Sequence, residues 1–179
     1  MPTSVDLKYI NSAEYRNRFN GITGDEELDE LLHKKAVDML THRNNSDYED
    51  MYWISKTDKV VKMSQTHSKA PRQIDYTEAI ARDVAKRGRD YITIHNHPNN
   101  APPSGSDFGS AWNNKYHLGV TVGNNGSIYS YTVGKNEVSV EIINMTIEKY
   151  KKREYNAIKA HEIALGQLVK DYGIEWRKH

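Results

Sequence analysis

Hydrophobic positions follow two rhythms along this chain. Leu28, Leu31, Leu32, Ala36, Met39 and Leu40 recur at three- and four-residue intervals, which predicts an amphipathic helix over about 25–41. Thr23 and Glu26 stand ahead of it at capping-box spacing. Residues 1–24 are polar and rich in Asn and Gly, and read as an arm that docks through Tyr9, Ile10, Tyr15 and Phe19. After a polar break, Tyr48–Ser55 and Val60–Met63 read as two strands of a hairpin turning at Thr57-Asp58-Lys59. Residues 64–74 form a polar loop. Asp75 and Glu78 repeat the capping-box spacing before a short helix carrying Ile80, Ala81, Val84 and Ala85, with Gly88 as its C-terminal cap.

Tyr91-Ile92-Thr93-Ile94 is β-branched and alternating, so a strand leads into His95. A helix opens near Asp107 and runs through Trp112. Leu118–Val122 and Ser127–Val133, joined by Gly123-Asn124-Asn125-Gly126, are the clearest hairpin. Val138 and Val140 suggest one more short strand. From about 142 to 172, Ile143, Ile147, Tyr150, Ile158, Leu165, Leu168 and Val169 mark a long helix with room for one break. The prediction is a mixed sheet of about five or six strands with helices before, within and after it, in one domain of α/β or α+β class. Its parts are an arm (1–24), a core (25–140) and a C-terminal helical extension (141–179).

Composition narrows the function classes. With 25 Lys and Arg against 24 Asp and Glu, global charge gives no support to nucleic-acid binding. The Lys149–Arg153 run reads as a solvated helix face rather than a nucleic-acid patch. Twelve tyrosines against two phenylalanines suggest aromatic packing with hydrogen bonds built in. The absence of cysteine rules out disulfides and thiolate zinc sites, so any metal must use histidine and carboxylate. No apolar run reaches membrane-spanning length and the first residues do not read as a signal peptide, so a cytoplasmic location is the default expectation.

The chemistry concentrates in one loop, His95-Asn96-His97-Pro98 followed by Ser104-Gly105-Ser106-Asp107. At a strand end, residues i and i+2 point to the same side, so both imidazoles face one point. Asp107 returns to them after a proline-containing turn. Two neutral nitrogens and one carboxylate oxygen leave one position free on a tetrahedral zinc ion, the arrangement of a catalytic site. Two histidines alone at this spacing would read as solvated or structural, and Asp107 alone as an ordinary residue of a helix first turn, with Ser104 or Ser106 as cap.

The loop resembles the motif of the JAMM (MPN-domain) zinc metalloproteases: an upstream Glu, then His-x-His-Pro, then Ser-x-x-Asp. Its His-Asn-His-Pro form and the Pro102-Pro103-Ser104 approach are most similar to the bacterial RadC-like and phage-associated branch. The resemblance extends loosely over about residues 25–133 and leaves out the arm and the C-terminal helix. It implies a JAMM/cytidine-deaminase-like fold and a single zinc ion held by His95, His97 and Asp107. It also implies that Ser104 orients the substrate or stabilises the oxyanion, and that a glutamate on an early strand after a helix acts as general acid/base. Glu49 matches that order; Asp50, its neighbour, would point to the opposite face of the strand, so only one of the two can face the metal. Read without the resemblance, Glu49 is an exposed charge at a strand edge.

The activity implied is hydrolysis of a peptide or isopeptide bond by metal-activated water. The substrate is a protein or peptide, with a ubiquitin-like protein and a phage structural protein both open, and the location is virion-associated if the chain is phage-encoded. A non-catalytic JAMM-fold binding or assembly module is the alternative; a DNA-associated role is weaker still. His-Asn-His nucleases place their histidines far apart on a ββα unit, and zinc deaminases need His-x-Glu with Cys-x-x-Cys, so neither fits. His33, His42, His67, His117, His161 and His179 have no partner at ligand spacing and read as surface or core; Trp53 and Trp112 read as core, with Trp112 near enough to the loop to line a cleft.

Overall fold

The computed structural model describes residues 4–137, 139–153 and 156–179. Six strands form one sheet: β1 (Met51–Ser55), β2 (Val60–Gln65), β3 (Tyr91–His97), β4 (Leu118–Gly123), β5 (Ile128–Thr132) and β6 (Glu175–Lys178). They lie in the order β2-β1-β3-β4-β5-β6. The β3–β4 pair is parallel and its neighbours are antiparallel, so the sheet is mixed. Helices α1 (Leu7–Ile10), α2 (Ala13–Asn17), α3 (Glu26–His42), α4 (Glu78–Arg87), α5 (Gly105–Asn114), α6 (Val140–Lys151) and α7 (Ala157–Tyr172) flank it. This is the α+β class that the alternating and helical rhythms predict.

Strand alternation divides the core in two. Ile54, Ile92, Ile94, Val120, Val122 and Ile128 point to one face, where Leu28, Leu32, Ala36, Met39 and Leu40 of α3 cover them. Ile10, Tyr15 and Phe19 are buried in the same cluster, so the docking residues expected of the arm are part of the core. Trp53, Tyr91 and Tyr131 point to the other face, under Phe108 and Ala111 of α5, Ile143 and Ile147 of α6, and Leu165 and Leu168 of α7. Each such aliphatic or aromatic side chain contributes about 1.5–3 kcal/mol on full burial. Helices on both faces explain why all seven residues of β3 are buried.

Gly119 matters on the second face. The Tyr131 ring crosses it so closely that an added Cβ would lie 2.1 Å from the ring. Tyr131 is thereby held edge-on to Phe108, with ring centroids 5.1 Å apart, at the base of the cleft described below. Gly119→Ala is therefore expected to destabilise the protein by about 1–3 kcal/mol through overpacking. A lower urea midpoint with an unchanged m-value would show it, and an unchanged midpoint would contradict it.

Several local expectations are corrected. β3 runs on through His97, so both histidines belong to the strand itself. β1 starts at Met51 rather than Tyr48. The cap of α3 is Asp25, whose carboxylate accepts the Glu27 and Leu28 amides, because the Thr23 hydroxyl is bonded to Asp29. Thr77, not Asp75, caps α4. Gly88 is the C-cap of α4, as expected, but in right-handed conformation, and it opens a 3-10 turn, Gly88–Asp90, that delivers the chain to β3. Val140 starts α6 behind a Ser139 cap instead of lying in a strand; Val138 lies outside the described residues. The C-terminal helix has the one break allowed for it, giving α6 and α7, but the chain then adds β6 to the sheet edge beside β5, an element that the hydrophobic pattern did not predict. No described helix is long and apolar enough to cross a membrane.

Candidate metal centre

His95 and His97 leave β3 on the same face, two residues apart. Ser104 brings Asp107 back to them. It caps α5 in a reciprocal capping box: its Oγ accepts the Asp107 amide, while its own amide and hydroxyl donate to Asp107 Oδ2 at 2.6 and 2.8 Å. One short motif thus starts the helix and fixes the carboxylate.

The donor atoms converge. His95 Nε2 and His97 Nε2 are 2.9 Å apart. Asp107 Oδ1 lies 3.1 Å from His95 Nε2, and Oδ2 lies 3.3 Å from His97 Nε2. One ligand atom from each of the three residues lies within 4.8 Å of the others, close enough for a single ion to reach all three at about 2.0–2.1 Å. The tautomer of His97 also fits. Its Nδ1 is 2.8 Å from the Ala101 carbonyl, which can only accept, so Nδ1 carries the proton and the Nε2 lone pair faces the cluster.

The electrostatics favour positive charge at the triad. With neutral imidazoles, the buried carboxylates of Glu49 and Asp107 would leave two uncompensated negative charges together, a costly arrangement away from water. Burial disfavours charge on His97, yet Asp107 and Glu49 outweigh it and lift its pKa to about 9. Burial also acts against an ionised Asp107, but His95 and His97 hold its carboxyl well below the usual range. Burial pushes Glu49 up, opposed by His97 and His95. A divalent ion meets the same demand for positive charge with all three ligands deprotonated.

Glu49 precedes β1 in register with the site. Met51 pairs with His95, so two further residues along the antiparallel register put Glu49 opposite His97. Glu49 is 8% exposed and lines the same cleft as the triad, but stands outside the group of donor atoms that lie within 4.8 Å of one another. Asp50 turns the other way and is fully buried against α3, its oxygens 2.5 Å from Arg43 Nε and 2.7 Å from His42 Nδ1. Alternation allows only one of these two residues to face the triad, and the contacts of Asp50 with Arg43 and His42 leave that place to Glu49.

The cleft, of about 550 Å³, extends from the triad beneath the loop between β2 and α4. Arg72, Gln73, Ile74 and Tyr76 of that loop line it together with Ser104, Ser106 and Ser110. Its floor is a hydroxyl network in which Trp53 Nε1 donates to Tyr116 at 2.9 Å, and Tyr76 lies 2.8 Å from Tyr116 and 3.1 Å from Ser110. Burial raises the pKa of Tyr76, Tyr116 and Tyr131, so these hydroxyls stay protonated at neutral pH. The tyrosine-rich composition was the available sign of this floor. Trp112 is half-buried and is not among the lining residues.

His161 of α7 is a contributor that spacing could not reveal. It is buried, burial pushes its pKa down to about 4, and its neutral Nε2 donates to the Pro103 carbonyl at 3.0 Å. The outer helix layer thereby braces the loop that carries Ser104 and Asp107.

No family model matches the chain, and no curated protein or solved structure shows significant similarity to it.

Proposed function

We propose that this protein is a zinc-dependent metallopeptidase of JAMM type, cleaving a peptide or isopeptide bond with Glu49 as general acid/base. The supporting observation is the placement of Glu49 in one cleft with the His95–His97–Asp107 triad but outside its donor group. Zinc bound at the triad would polarise a carbonyl and bring the pKa of a water toward neutrality.

The chain's own residues have separable tasks. His95, His97 and Asp107 hold the ion, and Ser104 keeps Asp107 oriented. Glu49 takes the proton of the attacking water and returns it to the nitrogen of the leaving amine. Ser104 serves the oxyanion if its hydroxyl turns from Asp107 toward the substrate oxygen. The tyrosine floor offers hydroxyls for the backbone of an extended peptide. A ubiquitin-like protein and a phage structural protein are both suitable substrate classes.

The test is direct. Zinc-loaded protein is incubated with a mixed peptide library and with isopeptide-linked ubiquitin-like fusions, and new amino termini are sequenced. Cleavage that a chelator abolishes and zinc restores is the expected result. Stoichiometric zinc uptake with no cleavage of either probe would instead favour a binding or assembly module.

A further inference from the structure

Asn96 stands between the two histidines and points to the opposite face of β3, fully buried. Its amide is committed on both sides of one residue. Oδ1 accepts the Asp50 N–H at 2.7 Å, and Nδ2 donates to the Tyr48 carbonyl at 3.2 Å. Those are the peptide groups flanking Glu49. The ordinary ladder fails at this point: the Asn96 amide reaches the Asp50 carbonyl only at 3.4 Å, and the Asp50 amide goes to the side chain instead of to a backbone carbonyl. The lead-in to β1 is thus separating from β3 where Glu49 begins, and a planar side-chain amide replaces the missing backbone bonds. Because an amide presents donor and acceptor in one plane, it fixes the tilt of this segment as well as its distance.

We infer that Asn96 is a positioning residue that couples the general base to the metal ligands, a reading that rests on the proposed peptidase chemistry. One three-residue segment carries two ligands on one face and the clamp for Glu49 on the other, so ligands and base keep a single geometry. The clamp holds the segment that carries Glu49 at one distance and tilt from β3. Asp50, anchored to Arg43 and His42, holds the far side of the same segment. Positional errors on the order of 1 Å cost about 100-fold in a catalytic step, so a device of this kind has a measurable effect.

The experiment uses the full chain loaded with cobalt(II) in place of zinc, in wild type, Glu49→Gln, Asn96→Ala and Asn96→Thr. Visible absorption of the cobalt is followed over about pH 5 to 9, where a water on such a metal ionises. Glu49→Gln should move the midpoint of that spectral change. Asn96→Ala should move it in the same direction, while cobalt affinity changes far less than the about 10–100-fold seen when a ligand's own support is lost. Asn96→Thr, which favours a strand and keeps one hydroxyl for one of the two bonds, should fall between. With any substrate found as above, Asn96→Ala should lower kcat by about 10–100-fold with KM little changed.

A folded Asn96 variant that titrates as wild type would overturn the inference and leave the peptidase reading intact. So would a loss of metal affinity in step with a loss of stability, the signature of a structural role only. If wild type and Glu49→Gln titrate alike, Glu49 is not the base and the inference fails while the metal site stands. Wild-type protein that takes up no cobalt would overturn both readings.

Discussion

His97→Ala is expected to abolish stoichiometric zinc binding. His97 supplies one of three donors, and its Nε2 is the atom closest to that of His95. Removing a hydrogen bond that only supports a ligand already costs about 10–100-fold in affinity; removing the ligand itself should cost more. Zinc content after dialysis, measured by atomic emission, checks this, and a full equivalent retained by the variant would refute the assignment. The same substitution alters the metal-stripped protein in a way that can be signed. The folded pKa of His97, about 9, lies above the value of about 6.5 for an unperturbed histidine. Its protonation therefore adds stability that is fully present below about pH 6.5 and disappears as pH rises through about 9. Asp107, held low by the same imidazoles, needs pH above its ordinary value of about 3.9 for its share. Metal-stripped wild type should thus be most stable between those limits and weaken toward pH 9, whereas His97→Ala should lack the alkaline fall. Urea midpoints across that range provide the measurement.

Glu49→Gln should leave zinc bound and remove hydrolysis. The carboxylate lies outside the donor triad, so the ligand set survives, and glutamine has nearly the same shape. What disappears is a group able to accept and return a proton, worth about 10²–10⁴-fold in rate. Stripped of metal, the variant should gain modest stability over stripped wild type, because a buried carboxylate held above its ordinary pKa is costly to ionise. Zinc content near one equivalent together with hydrolysis more than about 100-fold below wild type is the expected pair of results. Hydrolysis at the wild-type rate would assign the proton transfer to a different group.

Much of this was legible in sequence, for a local reason. The three donors lie within thirteen residues, and strand alternation together with helix capping determines where each points. Face alternation around Glu49 and Asp50 was equally local, though choosing between them needed the partners of Asp50, His42 and Arg43, at the C-terminal end of α3. The less visible features depend on side chains meeting backbone at long range. Asn96 grips residues 46 and 48 positions earlier; His161 reaches Pro103 across 58. The loop bearing Arg72 and Tyr76 has no periodic pattern, so nothing marked it as a cleft wall. β6, only Glu175–Lys178, is defined by its pairing with β5 rather than by hydrophobic alternation. The displaced caps show a related effect: Thr23 had the right spacing, but Asp29 took its hydroxyl.

The bond from His161 to Pro103 has a bearing on how this chain can vary over time. The loop that carries Ser104 and Asp107 and the last helix are distant in sequence yet share one donor and one acceptor. Recombination that replaced the final third of the coding sequence would leave the whole motif intact on paper while removing the donor that seats it. Inheritance of the triad's geometry therefore depends on residues that a motif search would pass over.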